Sequence, residues 1–195
     1  MKFKRVVFNL IFVLFFVGCI YTPEVTRVDT EKQVDLSGNW NDTDSRLVAE
    51  TMTQDILSAK WILDFSEKNS QNPVVVVGDI WNKTHELIST DTFIKDIERE
   101  FINSGKVRIV QAGEAREQLR NERADQQQFA RPETAAKWGR ELGADFLLQG
   151  VINSIIDEVE GQKVVYYQTD LELTNIETNE KVWIGTKKIK KVVRT

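Results

Sequence analysis

Chemistry has few places to happen in this chain. The single histidine, His85, sits in NKTHELIST, and any Ser-His-Asp or Cys-His catalytic set would have to use it. No nucleophile motif surrounds it, so it reads as a solvated loop histidine. The single cysteine, Cys19, ends the run FFVGC. With no second thiol it cannot close a disulfide within the chain. A zinc site would fall on carboxylates almost alone, an unusual donor set. Neither GxxxxGKS/T nor GxGxxG occurs, so no phosphate-cradling loop is written here. Carboxylate pairs such as Asp96/Glu100 and Asp157/Glu158 are plentiful, and among 30 acidic residues they read as solvated faces. The expectation is a protein that catalyses nothing itself and needs no cofactor and no metal.

Cys19 has a different use. Lys2, Lys4 and Arg5 precede an apolar run from Val6 to Gly18. That run is too short for a spanning helix, which needs about 20 apolar residues. A basic start, a short apolar stretch and a small residue before the cut describe a secretory signal peptide over residues 1–18. The sequence Phe16-Val17-Gly18-Cys19 resembles a bacterial lipobox, in which the cysteine is diacylated and becomes the new N-terminus. One acyl chain anchors marginally and several anchor stably, at about 0.8 kcal/mol per buried methylene. Residues 19–33 are polar, contain Pro23 and show no period, so they read as a tether reaching at most about 50 Å. Losing residues 1–18 removes three positive charges and takes the net charge from −4 to −7. So acidic a chain is a poor nucleic-acid binder, which needs a clustered basic face.

The elements follow from periodicity. Residues 34–41 (VDLSGNWN) predict a short strand ending in a turn. Residues 42–61 predict one helix, with Asp42, Thr43 and Asp44 as candidate caps and Val48, Met52, Ile56 and Ala59 at helical spacing. PVVVVGDIW (73–81) is a buried strand. Residues 90–105 form an amphipathic helix with a stripe of Phe93, Ile94, Ile97, Phe101 and Ile102, closed by Gly105. KVRIVQ (106–111) is a strand, 112–130 a charged surface helix, and 132–143 a further helix opened by Pro132. Three strands finish the chain, at 144–159, 163–177 and 181–193. In the middle one Val165, Tyr167, Thr169, Leu171 and Leu173 point one way, and Tyr166, Gln168, Asp170 and Glu172 the other. KKIKK (187–191) could contact a phosphate or a glycan, but reads more simply as lysines blunting an exposed edge strand. The fold class is α/β: a mixed sheet covered by helices, ending in an antiparallel meander.

Taken in order, DLSGNWNDTDSRLVAETM, VVGDIWNKTHELISTDTFIKDI, NSGKVRIV, LGADFLLQGVINSI and VYYQTDLELTNIETNEKVWIG resemble the LpoB family of penicillin-binding-protein activators. Gly38-Asn39-Trp40-Asn41-Asp42, Asn82-Lys83-Thr84 and Gly143-Ala144-Asp145 carry most of that resemblance, which runs from about Val34 to Lys190 and implies one domain over residues 34–195. It implies a fold similar to the TolB N-terminal domain. It also implies a monomeric lipoprotein of the outer membrane, facing the periplasm, that binds a bifunctional class A penicillin-binding protein and stimulates peptidoglycan synthesis. Ile20 after the cysteine favours the outer membrane. The tether is shorter than the long disordered linker of the best-known member. The outward face of the meander, Tyr166, Gln168, Asp170 and Glu172, is the expected partner surface, because tyrosine is enriched at interfaces. The alternative is an oligomeric envelope assembly or secretion lipoprotein with a related CsgG-like domain; the chain lacks the additional amphipathic strands that such a barrel inserts.

Overall fold

Asn41 starts the first helix by exchanging hydrogen bonds with Asp44. The Asp44 amide donates to Asn41 Oδ1 (3.1 Å) and the Asn41 amide to Asp44 Oδ2 (3.0 Å), a reciprocal capping box. The cap is therefore Asn41 rather than Asp42, Thr43 or Asp44. The computed structural model of the chain describes residues 24–136 and 141–194. Residues 33–195 form one compact unit; Met1–Lys32 form another, whose described residues, 24–32, are exposed and make one turn.

Helix α1 spans Asp42–Ser58 and helix α2 Lys60–Asn69. Sequence periodicity predicts one helix to residue 61. The chain instead breaks at Ala59, which is extended at φ −73° and ψ 154°. The break lets Trp61 turn inward and donate its Nε1–H to the Ile56 carbonyl (2.8 Å). Strand β1 is Val74–Asn82, helix α3 Thr90–Ser104, strand β2 Arg108–Val110 and helix α4 Gly113–Phe129. Strands β3 (Phe146–Val159), β4 (Gln162–Asn175) and β5 (Lys181–Arg194) complete the fold.

The five strands make one sheet in the order β2-β1-β3-β4-β5. β1 runs parallel to β2 and β3, and β3, β4 and β5 form an antiparallel meander. The mixed α/β class expected from the sequence is the one observed. Val48, Met52 and Ile56 of α1 and Phe93, Ile97 and Phe101 of α3 pack with Val75, Val77, Leu148, Ile152, Leu171 and Leu173 of the sheet. Burying one such side chain stabilises by about 1.5–3 kcal/mol. Ile102, expected in the α3 stripe, is 61 % exposed. Gly105 caps α3 at φ 64°, a left-handed conformation that glycine adopts without strain.

Three further expectations change. No strand forms over residues 34–41; their backbone groups bond to side chains instead of a ladder, as described below. The helix expected at 132–143 is absent among its described residues, 132–136 and 141–143. The Thr134 and Ala135 amides close one turn on the Arg131 carbonyl, and the Ala136 amide then leaves for Gln126 Oε1. Trp138 lies outside the described residues. Helix α4 does form, with no buried residue, as its charged sequence predicts.

Candidate functional site

Because β3 and β4 pair in register from Phe146–Asn175 to Val159–Gln162, directly opposed side chains share a face. Tyr167, Thr169, Leu171 and Leu173 share the inner face, all at most 2 % exposed, and Leu171 and Leu173 pack in the core beneath α1 and α3. The other face brings together the four residues singled out in the sequence. Tyr166 Oη donates to Gln168 Oε1 (3.1 Å), and Gln168 Nε2 donates to both oxygens of Asp170 (2.8 and 3.0 Å). Thr186 Oγ1 donates to Asp170 Oδ1 (2.6 Å), and Glu172 pairs with Lys181. These side chains are held in place and only half-buried. Around them stand large apolar groups in the open: Ile155 opposite Tyr166 and Ile184 opposite Glu172, 66 % and 65 % exposed. Trp81, in register with Val151 on the same face, is 49 % exposed. Tyrosine and tryptophan are among the residue types enriched at protein interfaces, and aspartate and glutamate among those depleted there.

A second construction pins the segment before α1 to the sheet. The Trp40 amide donates to Glu86 Oε2 (2.8 Å), and the Trp40 indole to Ser45 Oγ (2.7 Å). Tyr167 Oη donates to the Glu86 carboxylate, with the Gly38 carbonyl 3.0 Å away. Its ring meets that of Trp40 edge-on at 5.4 Å. Lys191 Nζ reaches Asp44 Oδ2 (2.6 Å), Asn39 O (2.9 Å) and Asp35 Oδ1 (3.1 Å). A β-carbon on Gly38 would lie 2.6 Å from Val193 Cγ2 and 3.3 Å from Val165 Cγ2, so only glycine permits this close approach. Lys191 is therefore an internal clasp. The edge-blunting role expected of it does not apply, because its ammonium is turned into the clasp.

The residues that carry the family resemblance thus have structural work. Gly38 to Asp42 form the clasped segment. Asn82-Lys83-Thr84 shape the loop that aims Glu86: Thr84 N donates to Asn82 Oδ1 (3.0 Å) and Glu86 N to Thr84 Oγ1 (3.1 Å). At the opposite end of the sheet Asp145 joins three strands. Its Oδ2 accepts from Val74 N (2.8 Å), its amide donates to Val74 O (2.8 Å), and its carbonyl accepts from Ile176 N (3.0 Å).

The clasp is charged and titrates accordingly. Hydrogen bonds from Gln33, Lys191 and Asn41 pull the Asp35 carboxyl down to about 2. Burial, then the hydrogen bond to Glu86, pushes Tyr167 well above its ordinary value. Burial alone would lower Lys191, but the hydrogen bonds and charges of Asp44 and Asp35 outweigh it and raise the ammonium. Stability from Tyr167 and Lys191 is complete below about pH 10 and is lost as the pH rises further; stability from Asp35 is present above about pH 4 and is lost toward pH 2. Tyr167→Phe removes the hydroxyl from the Glu86 carboxylate. It is expected to cost about 1–3 kcal/mol in urea unfolding at pH 7 and to flatten the alkaline limb of the stability profile. An unchanged midpoint and limb would reject the role given to this hydroxyl.

The clasp was partly missed in the sequence. Glu86, Asp35 and Lys191 lie far apart in the chain and carry no local motif. His85 is exposed beside Glu86. Among the described residues no three histidines, cysteines or carboxylates are placed to hold a metal ion. A groove of about 1020 Å³ between α2, the start of β3 and the β4–β5 turn is lined by Lys60, Asp64, Lys68, Glu177, Glu180 and Lys181 with Phe65, a mixed-charge surface. Among the described residues no helix is long and apolar enough to cross a membrane. Cys19 lies outside the described residues.

No curated protein sequence matches the chain. Among solved structures it is similar to the LpoB C-terminal domain from Escherichia coli, at 19% identity and a TM-score of 0.47, over 75% of this chain and 98% of that one. It is also similar to the LpoB C-terminal domain from Salmonella enterica, at 15% identity and a TM-score of 0.43, again over 75% and 98%. The family model described as peptidoglycan-synthase activator LpoB matches residues 44–189. That span runs from Asp44 in the first turn of α1 through Ile189 of β5, taking in most of α1, the whole of α2, α3 and α4, and nearly the whole sheet. The chain belongs to the LpoB family of peptidoglycan-synthase activators.

Proposed function

We propose that this chain binds and activates a bifunctional class A penicillin-binding protein, acting as a monomer tethered to the outer membrane, on its periplasmic side, through a diacylated Cys19. The family match over residues 44–189 carries the reading. The half-open face of the meander supports it: Tyr166, Gln168, Asp170 and Glu172 offer an ordered polar strip bordered by Ile155 and Ile184. Activation is differential binding. The face has greater affinity for the synthase's active conformation and shifts its population by that difference. The activator contributes no reacting group. A tether of residues 19–33 reaching at most about 50 Å limits how far from the membrane the partner domain stands.

The test uses the mature chain from Cys19 in detergent and a purified class A synthase. Saturable binding with an increased rate of glycan polymerisation is the expected result. No binding at tens of micromolar protein would reject the proposal. Tyr166→Ala is expected to weaken binding by about tenfold or more, the range of an aromatic anchor, while leaving thermal unfolding unchanged. Unaltered affinity would move the partner surface elsewhere. Mass spectrometry of the mature N-terminus reports the acylation directly, and particle mass in detergent separates a monomer from a closed ring.

A further inference from the structure

β5 closes one side of the sheet. β4 pairs with one of its edges, and among the described residues no strand pairs with the other. Among the described residues no loop supplies a backbone hydrogen bond to that free edge either. Such an edge is a ready template for another strand. Its charge is unusual: β5 contains Lys181, Lys187, Lys188, Lys190, Lys191 and Arg194 and no carboxylate, in a chain of net charge −4. Lys181 is paired with Glu172, and Lys191 with Asp44 and Asp35. Lys187, Lys188, Lys190 and Arg194 have no ion-pair partner among the described residues. Lys188 and Lys190 lie on the outward face, opposite Gln168 and Tyr166, and Lys187 on the helix-covered face opposite Thr169. A strand added here would meet cations on both of its faces.

Those cations discriminate between occupants. A second copy pairing through the same edge would set lysine beside lysine, which is unfavourable for opposed residues. An extended segment rich in glutamate or aspartate would meet opposite charge at Lys188, Lys190 and Arg194 on one face and at Lys187 on the other. We infer that the free edge of β5 takes an acidic extended segment of another protein as a sixth strand. Backbone hydrogen bonds supply the affinity of such β-augmentation, and the flanking side chains supply the selection. The inference stands apart from the synthase reading, because it needs only the edge and its charges.

The experiment titrates the full chain with a capped peptide of about ten residues alternating glutamate and threonine. It follows fluorescence anisotropy of the peptide and amide hydrogen exchange of the protein. Binding, slowed exchange confined to β5, and weakening with added salt are expected. Lys188→Glu/Lys190→Glu, at two exposed positions, is expected to reduce the affinity about tenfold or more with the fold intact by circular dichroism. A peptide of the same sequence with alternate amides N-methylated keeps its charge but cannot pair, and should not bind. Equal binding of the N-methylated peptide would reduce the edge to a diffuse positive surface and overturn the inference. So would equal binding of a lysine-threonine peptide. Dimeric mass with β5 amides protected in the absence of peptide would make a second copy the occupant, and would overturn it as well.

Discussion

Lys191→Met is expected to destabilise the domain by about 3–5 kcal/mol, the range found when one partner of a buried ion pair is removed. Lys191 and Asp44 are 13% and 5% exposed at their side chains and 2.6 Å apart. Without the ammonium, the Asp44 carboxylate stays in the interior with only the Asn41 amide to stabilise it. Asp35 is better solvated, at 35%, and its share of the loss is small. Methionine keeps the aliphatic length of the lysine stem, so the change tests charge rather than packing. Asp44→Asn in the same chain should recover part of the loss, because the asparagine can still accept from Asn41 and leaves no buried charge. The coupling between the two substitutions is read from urea midpoints at constant m-value. A single-mutant loss below about 1 kcal/mol, the size of an exposed pair, would mean that the clasp is effectively solvated.

Phe146→Ala is expected to cost about 3–5 kcal/mol, as for other buried aromatics cut back to alanine. Phe146 is 3 % exposed at the start of β3. Its ring meets Trp61 at 5.0 Å and Phe65 at 5.4 Å, both edge-on. Each edge-to-face pair adds about 0.5–1.5 kcal/mol beyond the area it buries. Both partners lie on α2, a helix of 10 residues without a side-chain N-cap. So short a helix is marginal on its own and depends on tertiary packing. Hydrogen exchange should therefore quicken in α2 more than in α1 or α3. Exchange rising evenly across all helices would show that α2 has other support.

How much of this could be read along the chain depends on the range of the interactions involved. Alternation in β4 is a local property of the backbone, and it placed Val165, Tyr167, Leu171 and Leu173 inside, and Tyr166, Gln168, Asp170 and Glu172 outside. The stripe on α3 placed Phe93, Ile97 and Phe101 correctly and Ile102 wrongly, because a stripe read from sequence is wider than the contact it makes. The charged helix α4 was legible because its sequence has almost nothing to bury.

Other features had no local signature. The apparent strand at 34–41 has apolar residues at plausible spacing, but its backbone is claimed by Tyr167, Glu86 and Lys191, from 46 to 152 residues away. The break at Ala59 exists because Trp61 finds an internal carbonyl and Phe146 a place to stack. The basic run KKIKK looked uniform, yet Lys191 turns inward to two carboxylates and its neighbours do not. The sequence by itself determined the period of each element, the inward residues of the meander and the poverty of catalytic groups, since these depend on residue type and spacing. Only the tertiary structure decided which strand ends free, which lysine is buried, and how the segment before α1 is held. Those outcomes depend on contacts that exist only once distant parts of the chain have come together.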